Sequence, residues 1–479
     1  MQISIEKINT PGILQSVNPS NGDIVWDGMA ATKGDILRAA KNSREAFPGW
    51  SGRPLSDRVN FLKKFAGILG NHKEQLAELI SREIGKPYWE ALTEVSSMIA
   101  KVDISIEAHK ERSSEFSGGK ASTRFRPHGV VVVIGPYNFP GHLPNGHICP
   151  ALLAGNTVIF KPSELAPATA EFIMKCWKEA GLPFGVLQVI QGGADAARFL
   201  TGLPEIRGIF FTGSSHTGRL LNQRFSERPG MILALEMGGN NPLIVDPEYI
   251  RIIEGAHQII LHSAFLTTGQ RCTCARRLIV IDSTQSPAFI DTLVQKAKNL
   301  RVGDPFSEPA PFMGPLASTA CLDRVMLAQQ DLLDKGAVPL LLAESTDPET
   351  AFITPGIMDV TDVKSVNDEE IFGPILQLIR VKSLKDAVSV ANSTRFGLAA
   401  GILTDSSERY RYAYPRLQAG IINWNMQLTG ASSAAPFGGI KDSGNLRPSA
   451  YFAADYCSYP VASMEAPECT TREPLPGEE

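Results

Sequence analysis

The chain has 479 residues, more than one ordinary hydrophobic core accommodates, so two or three domains are expected. It is 43% hydrophobic and 20% charged, with a net charge of −4 and no basic block, which argues against nucleic acid as a partner. No apolar run approaches the roughly 18–20 residues that span a bilayer, so no membrane partner is expected. The opening "MQISIEKINT" lacks the basic start and apolar core of a secretory signal, and seven scattered cysteines fit reduced thiols in a cytoplasm.

In chain order, "NPSNGDIVW" predicts a turn at Asn21 and Gly22 between short strands. From Thr32 to about Arg112 apolar residues recur every three or four positions, the spacing of amphipathic helices, with Thr32 and Ser56 as N-caps. Residues 113–126 are polar and contain glycine, and read as a loop or an exposed hairpin arm. Short Val/Ile/Leu runs then appear at 130–134, 157–160, 186–190, 208–211 and 232–235, separated by helical stretches such as "PATAEFIMKCWKEAG". That alternation predicts an α/β fold with a parallel sheet covered on both faces. Ligands bind such sheets outside the carboxyl ends of the strands. Those ends read "GPYNFPG", "KPSE", "QGG", "FTGS" and "EMGG", rich in small and turn-forming residues. A second series of runs, at 242–245, 276–281, 375–379, 398–403 and 420–424, predicts a second α/β domain starting near Met237. The acidic, proline-rich end "EAPECTTREPLPGEE" reads as a tail.

The chemistry-bearing residues lie at the strand ends and in "GQRCTCARR", 269–277. No second cysteine pair or nearby histidine completes a zinc site around Cys272 and Cys274, so no metal is expected. Locally the pair reads as two buried structural thiols, or as a nucleophile with an idle neighbour. Arg271 is the adjacent cation that would lower a thiol pKa. In "LEMGGNNP", Glu236 ends an apolar run that would raise its pKa and suit it to general-base work, or it caps a turn. Asn138 in "GPYNFP" offers an amide donor for an oxyanion, or an ordinary turn residue. In "FTGSSHTG", 211–218, a strand turns into a helix whose N-terminus suits a pyrophosphate, without the G-x-G-x-x-G fingerprint. In "KPSE", Lys161 and Glu164 follow a strand where a carboxylate would take ribose hydroxyls and repel a 2′-phosphate.

Together, "GPYNFP", "GNTVIFKPSE", "FTGSSHTG", "LEMGGNNP", "GQRCTCARR", "EEIFGP" and "FGGIKDSGN" resemble the aldehyde dehydrogenase superfamily, from about Asn18 to Ser463. Each fragment alone is unspecific; the specificity lies in all seven occurring in order. The resemblance implies two parallel-sheet α/β domains plus a small oligomerisation arm. The NAD-binding domain would span 1–112 and 128–236, the catalytic domain 237–449, the arm 113–127 and 450–464, and the tail 465–479. It implies Cys272 as nucleophile, Glu236 as general base, and Asn138 with the Cys272 N–H as oxyanion donors. It places NAD on Lys161, Glu164, Gly213, Ser214, Ser215, His216, Thr217, Gly218, Glu370 and Phe372. It also implies a homodimer or a dimer of dimers. A thiol hydrolase using Cys272 would need a histidine partner, and none lies within the motif.

Within the family, "GHLPNGHICPALLAGN" and "INWNMQLTGASSAAPFGGI" resemble a branch that oxidises a semialdehyde formed in arginine breakdown; another amino-acid-derived semialdehyde is the alternative. Such a small-molecule aldehyde carries distal carboxylates, for which Arg271, Arg447 and His142 are the candidate contacts.

Overall fold

The structure, a computed structural model, describes residues 12–118, 121–469 and 475–478. The opening decapeptide and part of the expected tail therefore lie outside the described residues, as do positions 119 and 120 of the expected arm. Four helices, Lys33–Ser51, Leu55–Asn71, Lys73–Ile84 and Tyr88–Arg112, occupy the first helical region. Thr32 caps the first of them in a reciprocal box: its hydroxyl accepts from the Asp35 N–H, and its own N–H donates to the Asp35 carboxylate. Ser56 is not a cap. The helix begins one residue earlier, at Leu55, because Pro54 fixes the entry and leaves Ser56 inside the first turn. None of the described helices is long and apolar enough to cross a membrane.

The first sheet has five parallel strands in the order Leu187–Val189, Thr157–Lys161, Val130–Ile134, Ile206–Gly213, Ile232–Met237. The first strand in sequence is central and the chain winds outward from it in both directions. This places a topological switch point between Val130–Ile134 and Ile206–Gly213, where a ligand crevice opens. All residues of Val130–Ile134 are buried. Val131 and Val133 pack into one core with Leu62, Val95 and Leu152, while Val132 and Ile134 face a second core with Ile36, Ile209 and Leu235. Two-residue alternation thus feeds two cores, which is why the run is continuously apolar rather than half polar.

The second sheet has seven strands in the order Val338–Leu341, Gly356–Asp359, Ile375–Val381, Ala275–Ile281, Asn241–Val245, Ala399–Leu403, Ile421–Trp424. Only the first pair is antiparallel. The pattern of apolar runs does not reveal Val338–Leu341 or Gly356–Asp359. The first is a largely exposed edge and the second is only four residues long. Between the last strand of sheet one and Asn241–Val245 lie just three buried residues, Gly238, Gly239 and Asn240, so Glu236 stands at the junction of the two sheets. A third sheet pairs Ala121–Pro127 with Phe116–Gly118 and, across the molecule, with Ser458–Met464. Arg124 in it is ion-paired with Glu465, the first residue of the expected tail.

Candidate active site

A cleft of about 1130 Å³ runs from the carboxyl ends of the first sheet to the junction with the second. Asn138, Glu236 and Cys272 line it together, although they come from three separate segments. Lys161, Glu164, Gly213, Ser214, Ser215, His216, Thr217, Glu370 and Phe372 line it as well. Gly218 stands behind the wall. A side chain there would collide with Met237, so glycine lets the helix Ser215–Arg224 pack against the strand that carries Glu236.

The segment before Cys272 is conformationally demanding. The helix Ile253–Phe265 ends in a tight turn in which Thr267 and Thr268 both have φ 54°, the left-handed region. Gly269 follows at φ 72°, and a Cβ there would lie 2.2 Å from the Gly373 carbonyl oxygen, so only glycine fits. Several long-range bonds hold the turn. Glu90, fully buried on Tyr88–Arg112, accepts from the Thr267 hydroxyl and from Arg271 at 2.5 Å. Arg276 donates to the carbonyls of Gly269 (2.6 Å) and Arg271 (3.0 Å) and to Glu370 (3.3 Å). Asn241 donates to the carbonyls of Cys272 (2.7 Å) and Cys274 (2.9 Å).

The two thiols separate cleanly. Cys274 is fully buried, its Sγ packed 3.9 Å from the Leu266 carbonyl oxygen, whereas Cys272 is half-buried and faces the cleft. Burial pushes the Cys272 thiol up to about 12, Glu370, Glu236 and Cys274 push the same way, and Arg276 opposes them. The cation acting on Cys272 is therefore Arg276, not Arg271. Arg271 turns away into its ion pair with Glu90 and is 13% exposed, which also removes it as a free guanidinium for a substrate carboxylate.

Glu236 ends the strand Ile232–Met237 with one carboxylate oxygen accepting from the Ser449 N–H at 3.1 Å and the other buried without a partner among the described residues. Burial drives its pKa well above the carboxylate range, outweighing the Ser449 bond. Glu370 rises to about 7, chiefly through burial, with Arg276 and the Gly239 N–H opposing. Asn138 is 4% exposed and its Nδ2 donates to the Gln270 carbonyl at 2.8 Å, fixing the amide beside the cysteine loop.

On the far side of the cleft, Ser214 caps Ser215–Arg224, accepting from the Thr217 N–H at 3.2 Å, so the helix presents its N-terminus to the cavity. Buried Lys161 donates to the Gly192 carbonyl at 2.8 Å and lies 3.6 Å from the Glu164 carboxylate. Phe372 meets Tyr137 edge-on at 6.0 Å. Arg324 and Cys321 also line the cleft and were not anticipated, since nothing in "STACLDR" distinguishes them from an ordinary helix start.

None of the three expected substrate contacts lines this cleft: Arg271 is held on Glu90, and the other two lie elsewhere. Arg447 lines a separate groove of about 560 Å³ with Arg207, Arg228 and Tyr459. His142 meets Phe139 edge-on at 6.5 Å, and burial together with the charges of Lys101, Lys86 and Arg271 lowers its pKa to about 3, leaving it neutral. Among the described residues no three His, Cys, Asp or Glu side chains are grouped to hold a metal ion.

A model of the aldehyde dehydrogenase family matches residues 7–459. The chain is 52% identical over 457 residues to N-succinylglutamate 5-semialdehyde dehydrogenase of Pseudomonas fluorescens, covering 95% of this chain and 93% of that protein. It is 53% identical over 461 residues to the enzyme of the same name from Ectopseudomonas mendocina, covering 95% and 94%. Among solved structures, an NADP-dependent enzyme of E. coli superposes with a TM-score of 0.88 at 30% identity, covering 94% of each chain.

Proposed function

The chain belongs to the aldehyde dehydrogenase family, and from that premise we propose that it oxidises N-succinylglutamate 5-semialdehyde to N-succinylglutamate with NAD. The observation carrying the reaction type is the convergence of Cys272, Glu236 and Asn138 on one cleft whose other wall is a capped helix N-terminus. The substrate reading is supported by the name borne by the two relatives at 52% and 53% identity.

The cleft suits a dinucleotide. The N-terminus of Ser215–Arg224 would hold the pyrophosphate. Lys161 and Glu164 would take the adenosine ribose, where the carboxylate repels a 2′-phosphate and favours NAD over NADP. Glu370 and Phe372 would hold the nicotinamide ribose. When bound, NAD supplies the hydride acceptor that turns a thiohemiacetal on Cys272 into a thioester.

The chain's own groups do the remainder. Cys272 is a protonated thiol in this geometry, so its proton must pass to a carboxylate facing the cleft, and on to solvent, before sulfur attacks the aldehyde carbon. The resulting oxyanion is held by the Asn138 Nδ2, whose second N–H is available beyond its bond to Gln270, and by the Cys272 N–H. Glu236 then takes a proton from water, hydroxide attacks the thioester carbon, and the Cys272 thiolate leaves.

The same reading assigns 1–112 with 128–236 to a cofactor unit and 237–449 to a catalytic unit. It makes the three-stranded sheet the arm joining a homodimer or dimer of dimers, and it places the enzyme in the cytoplasm. The test is NAD reduction by the purified chain, comparing N-succinylglutamate semialdehyde with the succinate and glutamate semialdehydes. A clear preference for the first is expected; equal efficiency on all three overturns the substrate.

A further inference from the structure

The helix Tyr88–Arg112 carries three charged side chains on its buried face: Glu90, Glu94 and Lys101. Two are neutralised. Glu90 meets Arg271, and Glu94 meets Lys86 at 2.5 Å while accepting from the N–H groups of Gly141 and His142 at 3.0 Å. Lys101, 2% exposed, has no carboxylate within ion-pair distance among the described residues. Its neighbours do not compensate it. The Cys149 thiol is pushed up to about 12 by burial and stays protonated, and His142 and His147 are both lowered to about 3 and stay neutral. Burial lowers Lys101 itself only to about 8, so the ammonium persists at neutral pH. A lone buried cation is costly and calls for a counter-ion.

The way to it starts at the cleft. Leu143, in the first turn of the helix His142–Ala154, lines the cleft with Asn138 and Cys272. One turn further on the same face stands Gly146 rather than a side chain. An added Cβ at Gly146 would meet nothing nearer than the Lys101 Cε at 3.8 Å. A larger residue at position 146 would place side-chain atoms against the Lys101 stem, and glycine supplies none there.

We propose that Lys101 is a specificity-determining residue that binds a carboxylate of the aldehyde substrate, reached from Cys272 past Leu143 and Gly146. This rests on the substrate reading above, because it needs an aldehyde with a distal carboxylate. It replaces Arg271, Arg447 and His142 in that role: the first is already paired, the second lines another groove and the third is neutral.

The test compares the wild type with Lys101→Met and Lys101→Arg on N-succinylglutamate semialdehyde, succinate semialdehyde and hexanal. Loss of a charge-assisted contact should lower kcat/KM of Lys101→Met for the anionic substrate about 10–100-fold, mainly through KM. Hexanal turnover and the KM for NAD should be unchanged, with partial rescue by Lys101→Arg. N-succinylglutamate should raise the Tm of the wild type but not of Lys101→Met. An equal loss on hexanal, or no loss on either anionic aldehyde, overturns the proposal. Failure of the substrate reading shows separately, as a wild type without preference for N-succinylglutamate semialdehyde. In that case the loss on succinate semialdehyde relative to hexanal still decides whether Lys101 binds a carboxylate.

Discussion

The two sides of Cys272 are built by different means. The side toward the first sheet is made of strand ends, glycines and a capped helix N-terminus, so backbone groups stand there beside the side chains of Lys161 and Glu164. The side toward Tyr88–Arg112 is made of buried charges, namely Glu90, Glu94, Lys86, Arg271 and Lys101, in which side chains do nearly everything. A backbone-lined wall accepts a constant ligand and tolerates few side chains. A charge-lined wall is chosen by what its ions pair with, so it is where substrate identity can vary within one fold.

The sharpest way to break this comparison is at the cysteines that sit between the two sides. Cys272→Ala should abolish aldehyde-dependent NAD reduction, by about 10⁴-fold or more. Cys274→Ala should stay within a few-fold, since Cys274 is packed out of reach. Comparable losses in steady-state assays of both variants would mean that the loop acts as a structural unit only. Asn138→Ala should lower kcat about 10²–10³-fold with little change in the KM for NAD, the behaviour of a lost oxyanion donor.

On the charged side, Glu90→Leu leaves Arg271 half-buried without its partner and frees the Thr267 turn. It should destabilise the protein by about 3 kcal/mol in urea unfolding, with activity falling alongside. An unchanged midpoint would show that the charged wall does not hold the cysteine loop. The pH profile probes the junction between the two sides. Glu236 has a raised pKa and is protonated below it, unable to take a proton from water. The Cys272 thiol, pushed up to about 12, must also lose its proton. Both effects make kcat rise with pH, and Glu236→Gln should remove the Glu236 part of that rise. A profile falling with pH would contradict both assignments. The smallest effect is expected on the backbone-lined side: Ser214→Ala removes one cap, about 1 kcal/mol, and should raise the KM for NAD a few-fold without changing kcat.

The backbone-lined side was legible in the sequence because strand ends and their turns are local. "GPYNFP", "KPSE" and "FTGS" each carry the glycine, proline or cap that their own backbone needs. The charged side was not legible. Glu90, Glu94 and Lys101 sit in a helical pattern whose charged positions belong in water by default, and they are buried because partners as distant as Lys86, Gly141 and Arg271 meet them there. Arg271 was misread for the same reason. Adjacency to Cys272 along the chain suggests an electrostatic partner, but the turn at Thr267 and Thr268 holds its guanidinium on Glu90, and Arg276 is the cation whose charge opposes the rise of the Cys272 thiol.

By itself, then, the order of apolar runs and turn motifs determined two α/β domains and a ligand crevice at the strand ends, because periodicity and turn chemistry act over a few residues; the choice of Cys272 over Cys274 came from the family resemblance and not from those patterns. Which cation faces the thiol, which carboxylates are neutralised, and that Lys101 is left alone were decided only by the tertiary structure. Coulombic and desolvation effects follow distance and burial in space, and neither is written in the spacing of residues along a chain.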